Sequence, residues 1–306
     1  MNNGVLWGID LGGTKIEGVI LDTLNQNKIL FRERVPTEAS KGYTHVLNQV
    51  KHLFDSMVAH QGTPPTTLGI GTPGTLIPST GLMKNSNAVA LNGKPMRDDL
   101  SQLLDIQIEM ANDANCFALA EAKLGVVKEL YPEAKVVFGV ILGTGVGGGL
   151  VVNGQVINGH HSIGGEWGHS LLPGFEGRQC FCGKTGDNES ILSGPSLEWY
   201  YHQQTGVQKE LKEIVALARS KSDHVAVQTL QRLTSGFAQA ISVVINIIDP
   251  DVIVIGGGVG NIDELYSDGR AAINQHMFNH DFQAAMVKPA LGDSAGVFGA
   301  AFLTEN

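Results

Sequence analysis

The stretch Cys180–Glu189, CFCGKTGDNE, places two of the chain's three cysteines one residue apart, followed by a turn signal and two carboxylates, Asp187 and Glu189. Thiolates and carboxylates at this spacing could ligate a metal, the thiols could form a redox pair, or the segment could be a plain loop. The redox reading is poor, because C-x-C is not the C-x-x-C of thiol oxidoreductases. A second chemistry sits in three glycine clusters: GGT at Gly12–Thr14, GTGVGGG at Gly143–Gly149, and GGG at Gly256–Gly258. Backbone N–H groups in such turns make anion-binding concavities. None of the three fits G-x-x-x-x-G-K-[ST], and none fits G-x-G-x-x-G between a strand and a helix. Each alone reads as a tight turn; together they point to a nucleotide held in a cleft between two halves. A third candidate is Asp113 in NDAN, at the end of a predicted strand where a helix starts. A general base needs a carboxylate fixed in that way, and a helix N-cap at Asn112 or Asp113 would use the same residues.

These residues need strands and helices to aim them. VLWGIDLGGTKIEGVILD reads as strand, glycine turn, strand, with Val5–Ile9 and Gly18–Leu21 bracketing the turn. Residues 48–60 carry Val50, Leu53 and Met57 on one helical stripe. TLGIGTPG reads as a short strand into a Pro-Gly turn, Ile106–Met110 alternates as a strand, and ANCFALAEAKLG is a strong helix. FAQAISVVINIIDP reads as a buried helix stopped by Pro250, DVIVIGGG as a core strand, and GVFGAAFL as a short apolar helix. The segment GVILGTGVGGGLVVN repeats the first hairpin: Gly8 falls on Gly139, Leu11 on Leu142, Gly12 on Gly143 and Gly18 on Gly149. One supersecondary unit used twice predicts two related domains facing each other. The boundary is expected just after Asp113. Residues 1–115, joined by a C-terminal helix 296–306, would form the smaller domain, and residues 116–295 the larger.

Bulk properties narrow the class. The chain has 306 residues, 42% hydrophobic and 17% charged, with a net charge of −9. That length suits about two domains, and an acidic chain has no basic footprint for nucleic acid. No apolar run approaches the ~18–20 residues of a membrane span, and no signal peptide is read at the N-terminus. Three cysteines argue for a reducing, cytoplasmic setting over a disulfide framework.

The segments GIDLGGTK, GIGTPG, NDANCFALAEA, ILGTGVGGGLV, GGEWGH, CFCGKTGDNE and DPDVIVIGGG span nearly the whole chain. In this order they resemble the ROK family (repressor, open reading frame, kinase) of sugar kinases. The resemblance implies an α/β fold of duplicated ribonuclease-H-like domains, the actin, hexokinase and heat-shock-chaperone type. It implies transfer of phosphate from ATP, with Mg²⁺, to the 6-hydroxyl of a hexose. Asp113 would be the catalytic base. Gly74, Asn87, Asn112, Asp113, Glu166, His169 and Glu189 would bind the sugar. Asp10, Gly12, Gly13, Thr14 and Lys15 would form the first phosphate loop, with Asp10 organising Mg²⁺. Gly143, Thr144 and Gly145 would form the second phosphate loop, and Gly256, Gly257 and Gly258 would lie against the adenosine. The family's usual zinc motif implies His169, Cys180 and Cys182 as ligands of structural Zn²⁺. Asp187 stands where the third cysteine is usual, so a carboxylate would complete the set or the metal would be lost.

KNSNAVALNGKP, GEWGH and CFCGK resemble the fructokinase/mannokinase branch, with fructose as the expected hexose. N-acetylglucosamine and N-acetylmannosamine kinases are the alternative, and the former more often show Phe where Trp167 stands. The family's transcriptional regulators carry an N-terminal helix-turn-helix, whereas this chain is expected to open on its first strand. A silent sugar-sensing protein would need a lost base or phosphate loop, and both are intact. A homodimer is implied as well.

Overall fold

A computed structural model describes residues 4–305. Met1–Asn3 of the expected first domain and Asn306 of the expected last helix lie outside them. The chain forms two compact units. The first takes the chain up to Pro132, then Gly149–Gly165, then everything from Ala290 on; the second takes Glu133–Gly148 and Glu166–Pro289.

The first unit opens with β1 (Val5–Leu11), β2 (Lys15–Asp22), β3 (Lys28–Pro36), α1 (Tyr43–Gln61) and β4 (Thr67–Thr72). A small ribbon follows, β5 (Thr75–Leu76) and β6 (Met83–Lys84), then α2 (Met96–Leu104), β7 (Gln107–Asn112), α3 (Asp113–Lys123) and α4 (Val126–Leu130). The sheet order is β3-β2-β1-β4-β7. β1 and β2 form the expected hairpin, closing with Leu11 opposite Ile16. β1, β4 and β7 run parallel, so their C-terminal ends reach one edge together. On α1, Val46, Val50, Leu53 and Met57 are buried at helical spacing. They pack on β2 because Gly18 leaves room: a Cβ there would meet Met57 Sδ at 2.9 Å.

The second unit contains β8 (Val136–Leu142), and the chain crosses back to the first unit along β9 (Val146–Val152), then β10 (Gln155–Val156). Next come α5 (Asn188–Leu192), α6 (Gly194–Thr205), α7 (Leu211–Arg219), α8 (His224–Ile248), β11 (Val252–Gly256), α9 (Asp268–Ile273) and β12 (Ala285–Val287). The second sheet has the order β10-β9-β8-β11-β12. Renumbered, that is the order of the first sheet, and β8, β11 and β12 are likewise parallel. β8 and β9 begin at 136 and 146, against 5 and 15 for β1 and β2, so the repeat read in the sequence is a repeat of structure. This is the duplicated ribonuclease-H-like arrangement. α8 is capped by Asp223, which accepts from the N–H groups of Val225 and Ala226, and it ends at Asp249 in the left-handed region just before Pro250.

The last helix, α10 (Ala295–Phe302), belongs to the first unit and lies against β1, β4 and α3. Three glycines permit that approach. A Cβ on Gly8 would sit 2.4 Å from Ala301 N, one on Gly69 1.8 Å from Ala300 O, and one on Gly299 1.8 Å from Cys116 O. Cys116 is fully buried in this seam as a small apolar residue. Among the described residues, no helix is long and apolar enough to cross a membrane.

Candidate functional site

In the first unit, the ends of three parallel strands deliver the acidic candidates. Asp10, next to last in β1, is opposite Gly71 of β4, and Thr72 of β4 is opposite Asn112, the last residue of β7. Asn112 caps α3: its Oδ1 accepts from Ala114 N–H at 2.9 Å. Asp113 Oδ1 also accepts from that N–H, at 2.8 Å, and the residue is exposed. The cap expected at this junction is therefore present, and it leaves the Asp113 side chain at the surface. Gly74 follows β4 with φ +92°, and a Cβ there would meet Lys84 O at 2.5 Å, so glycine is required. Its carbonyl accepts from Asn112 Nδ2 at 3.5 Å.

Asp10 is packed between two glycines. A Cβ on Gly296 would lie 2.8 Å from its Oδ2, and one on Gly71 3.3 Å from its Oδ1. Burial, then the charges of Asp113 and Glu17, push its carboxyl up to about 7, against a smaller opposing pull from Lys15. A cation would reverse that balance, as a Mg²⁺ site requires. The turn Gly12–Thr14 is braced by Thr37, just beyond β3. Its Oγ1 donates to Gly12 O at 2.7 Å and its N–H to Thr14 O at 3.0 Å. Gly13 and Thr14 share a cavity of about 660 Å³ with Asn87. Lys15 Nζ is engaged with Asp293 at 3.4 Å and Glu17 at 3.9 Å.

In the second unit, the two remaining glycine clusters meet. Gly143 N–H donates to Gly145 O at 2.9 Å, closing the turn, and Gly194 N–H donates to Gly143 O at 2.9 Å. Gly257 has φ +84°, and a Cβ there would meet Leu142 O at 2.2 Å, which keeps the turn after Gly256 tight on β8. Gly143, Thr144 and Gly258 line a cavity of about 960 Å³. Its apolar wall, Leu211, Val215, Val259 and Ile262, is absent from the sequence reading. The alternation of α7 could have suggested Leu211 and Val215, but that pattern is the same for core and for cavity.

The metal candidates form one cluster. His169, Cys180, Cys182 and Asp187 place a ligand atom each within 4.8 Å of one another. His169 sits in the single turn Trp167–His169, with Glu166 half-buried at its entry. The cysteines form a knuckle: Cys180 N–H donates to Lys184 O at 2.8 Å, and Gly183 N–H to Cys180 O at 3.0 Å. Asp187 is fully buried and caps α5, where its Oδ1 accepts from Ser190 N–H at 2.9 Å. That bond leaves Oδ2 to the cluster. Oδ2 lies 3.2 Å from His169 Nδ1 and 3.3 Å from Cys182 Sγ, and Cys180 Sγ is 3.6 Å from the same nitrogen. Zinc–ligand bonds of about 2.0–2.3 Å in a tetrahedron hold donor atoms roughly 3.3–3.8 Å apart, so the donor set fits. Burial opposes charge on Asp187, but hydrogen bonds from Cys180 and Ser190 outweigh it and hold the carboxyl at about 2. Glu189, two residues further on in α5, accepts from Val146 N–H at 3.0 Å.

Known proteins bear on the substrate. The N-acetyl-D-glucosamine kinase of Salmonella newport is 35% identical over 306 residues, covering 97% of this chain and 98% of its own. That of Citrobacter koseri is 36% identical over 313 residues with the same coverage. The crystal structure of the ROK hexokinase from Thermus thermophilus matches with a TM-score of 0.85 at 28% identity, covering 98% of this chain and 97% of that one. These relatives overturn the expectation of fructose. The structure explains why Trp167 misled. Its indole N–H donates to Gly147 O at 2.9 Å, and its ring packs edge-on against Phe138 and Phe237, so it is a core residue carrying no record of the sugar. The ROK family model matches residues 6–306, and the chain belongs to the ROK family.

Proposed function

We propose that the protein is an ATP-dependent kinase that phosphorylates the 6-hydroxyl of N-acetylglucosamine. The observation that carries this reading is the full-length likeness to N-acetyl-D-glucosamine kinases. Asp113 accepts the proton of O6 as the new O6–phosphorus bond forms; the bond from the γ-phosphorus to the bridging oxygen breaks and ADP leaves. Its exposed carboxylate at the α3 terminus supports that role. Gly74, Asn87, Asn112, Glu166, His169 and Glu189 hold and orient the sugar. N–H groups of the turns Gly12–Thr14 and Gly143–Gly145 bind the phosphates, with Lys15 beside the first. Gly256–Gly258 and the apolar cavity wall receive the nucleoside. Mg²⁺, when bound, would neutralise charge on the transferring phosphate, and Asp10 would organise it through water.

His169, Cys180, Cys182 and Asp187 hold a structural Zn²⁺ in the same proposal, shaping the loop that carries Glu189. The homodimer implied by the family resemblance completes it, and a monomeric mass by light scattering would refute that part. The deciding experiment is ADP release from ATP against N-acetylglucosamine, N-acetylmannosamine, glucose, mannose and fructose. N-acetylglucosamine is expected to give the highest kcat/KM. A higher value for any of the others overturns the substrate assignment.

A further inference from the structure

Glu189 has more than one neighbour. Its Oε2 accepts from Val146 N–H at 3.0 Å, and a Cβ on Gly145 would lie 2.7 Å from the same oxygen. Its Oε1 lies 3.7 Å from Cys180 Sγ. The residue is the second of α5, whose start is fixed by the Asp187 cap, and its carbonyl accepts from Ser196 Oγ at 3.0 Å. The backbone on the other side is equally held, because Gly143 N–H closes on Gly145 O and Trp167 holds Gly147 O. A side chain carried on a capped helix thus meets the glycine turn between those two held carbonyls.

We infer that Glu189 is a positioning residue for the nucleotide. It sets the turn Gly143–Gly149 through the Val146 N–H and thereby orients the N–H groups that face the phosphates. This rests on the reading of Gly143–Gly145 as a phosphate loop, and it gives Glu189 a task separate from any contact with sugar. It also assigns a reason for glycine at 145: a side chain there would displace the carboxylate. Loss of the carboxylate leaves a buried main-chain N–H without its charged acceptor and frees the turn to sample other conformations.

The test is ADP affinity by calorimetry on the full chain with no sugar present. A sugar contact alone cannot move that number. Glu189→Ala is expected to weaken ADP about tenfold, while Glu189→Gln, whose amide oxygen can still accept from Val146 N–H, stays within about threefold. Gly145→Ala supplies a second, independent handle. Alone it should weaken ADP about tenfold, and in the Glu189→Ala background most of that loss should vanish, because the clashing oxygen is gone. Additive losses would mean that the added methyl meets the phosphates directly, and would overturn the inference. Unchanged ADP affinity in Glu189→Ala overturns it as well. If the wild-type chain binds no ADP, the kinase reading itself fails, which is a different outcome from either.

Discussion

The turn Gly12–Thr14 and the turn Gly143–Gly145 occupy equivalent places in repeated hairpins, yet different parts of the chain hold them. The first is braced by Thr37, a neighbour from the end of the adjoining strand, through its hydroxyl and its N–H. The second is braced by Gly194 N–H, by the Glu189 carboxylate and by the Trp167 indole, all from segments inserted after β10. Around the first turn the carboxylates crowd: burial first, and then the charges of Asp113 and Glu17, push the Asp10 carboxyl up. Around the second the polar groups are engaged in holding backbone, and the ligand cluster sits beside them. Duplication preserved the hairpin and its glycines while the bracing diverged. In the first unit carboxylates cluster near the turn without bracing it; in the second a carboxylate is itself the brace.

The contrast predicts unequal responses to mutation. The largest is at the chemical side: Asp113→Ala should lower kcat by roughly 10²–10⁴-fold with little change in ADP affinity. A fall below about threefold in steady-state kinetics would remove Asp113 from the role of base. Next, Asp187→Ala should cut bound zinc, measured by atomic emission, from about one ion per chain to a small fraction, whereas Asp187→Cys should retain it. Equal metal content in the wild type and Asp187→Ala would show that the carboxylate is only a helix cap.

The glycine turns themselves give a direct comparison. A Cβ on Gly13 would meet nothing within 4 Å. Gly13→Ala should therefore change stability by well under 1 kcal/mol, by urea unfolding, while Gly145→Ala costs about 1–2 kcal/mol through its clash with Glu189. Similar costs at both sites would erase the asymmetry of bracing.

The last effect is one of pH and concerns Asp10. Its folded-state carboxyl titrates at about 7, well above its ordinary 3.8. The unfolded chain then releases this proton first, so stability falls as pH rises from about 4 to about 7 and is level above that. Asp10→Asn should be neutral near pH 4 and stabilising at pH 8, by on the order of 1–3 kcal/mol or a few °C in Mg²⁺-free buffer. A thermal-shift difference between variant and wild type that does not grow with pH would contradict the packing argument for Asp10.

The sequence carried the repeat because strand, glycine turn and strand are encoded within fifteen residues, a range over which local pattern is decisive. It carried the Asp113 junction for the same reason: a strand-like alternation runs into an alanine-rich helix. It did not carry β3, whose residues are mostly exposed along the sheet edge and so lack a two-residue apolar period. The apolar cavity wall was equally hidden, because Leu211 and Val215 of α7 meet Val259 and Ile262 from a segment far along the chain, beyond β11. Trp167 looked like a mark of the fructokinase branch because N-acetylglucosamine kinases more often show Phe there, and only its ring contacts reveal a core role. Motif neighbourhood and spatial neighbourhood differ wherever a short turn points alternate residues in opposite directions.

The seam of Gly8, Gly69 and Gly299 has a consequence for the order of folding. The face of β1 and β4 that these glycines leave bare is covered by α10, which lies more than two hundred residues further along the chain than either strand. Neighbouring strands of the first sheet can pair early, but their cover arrives only through a contact of very long sequence separation, which costs loop-closure entropy before burial offsets it. Until that contact forms, the apolar face stays open to water and to other chains, so the docking of α10 is the event that closes the first unit.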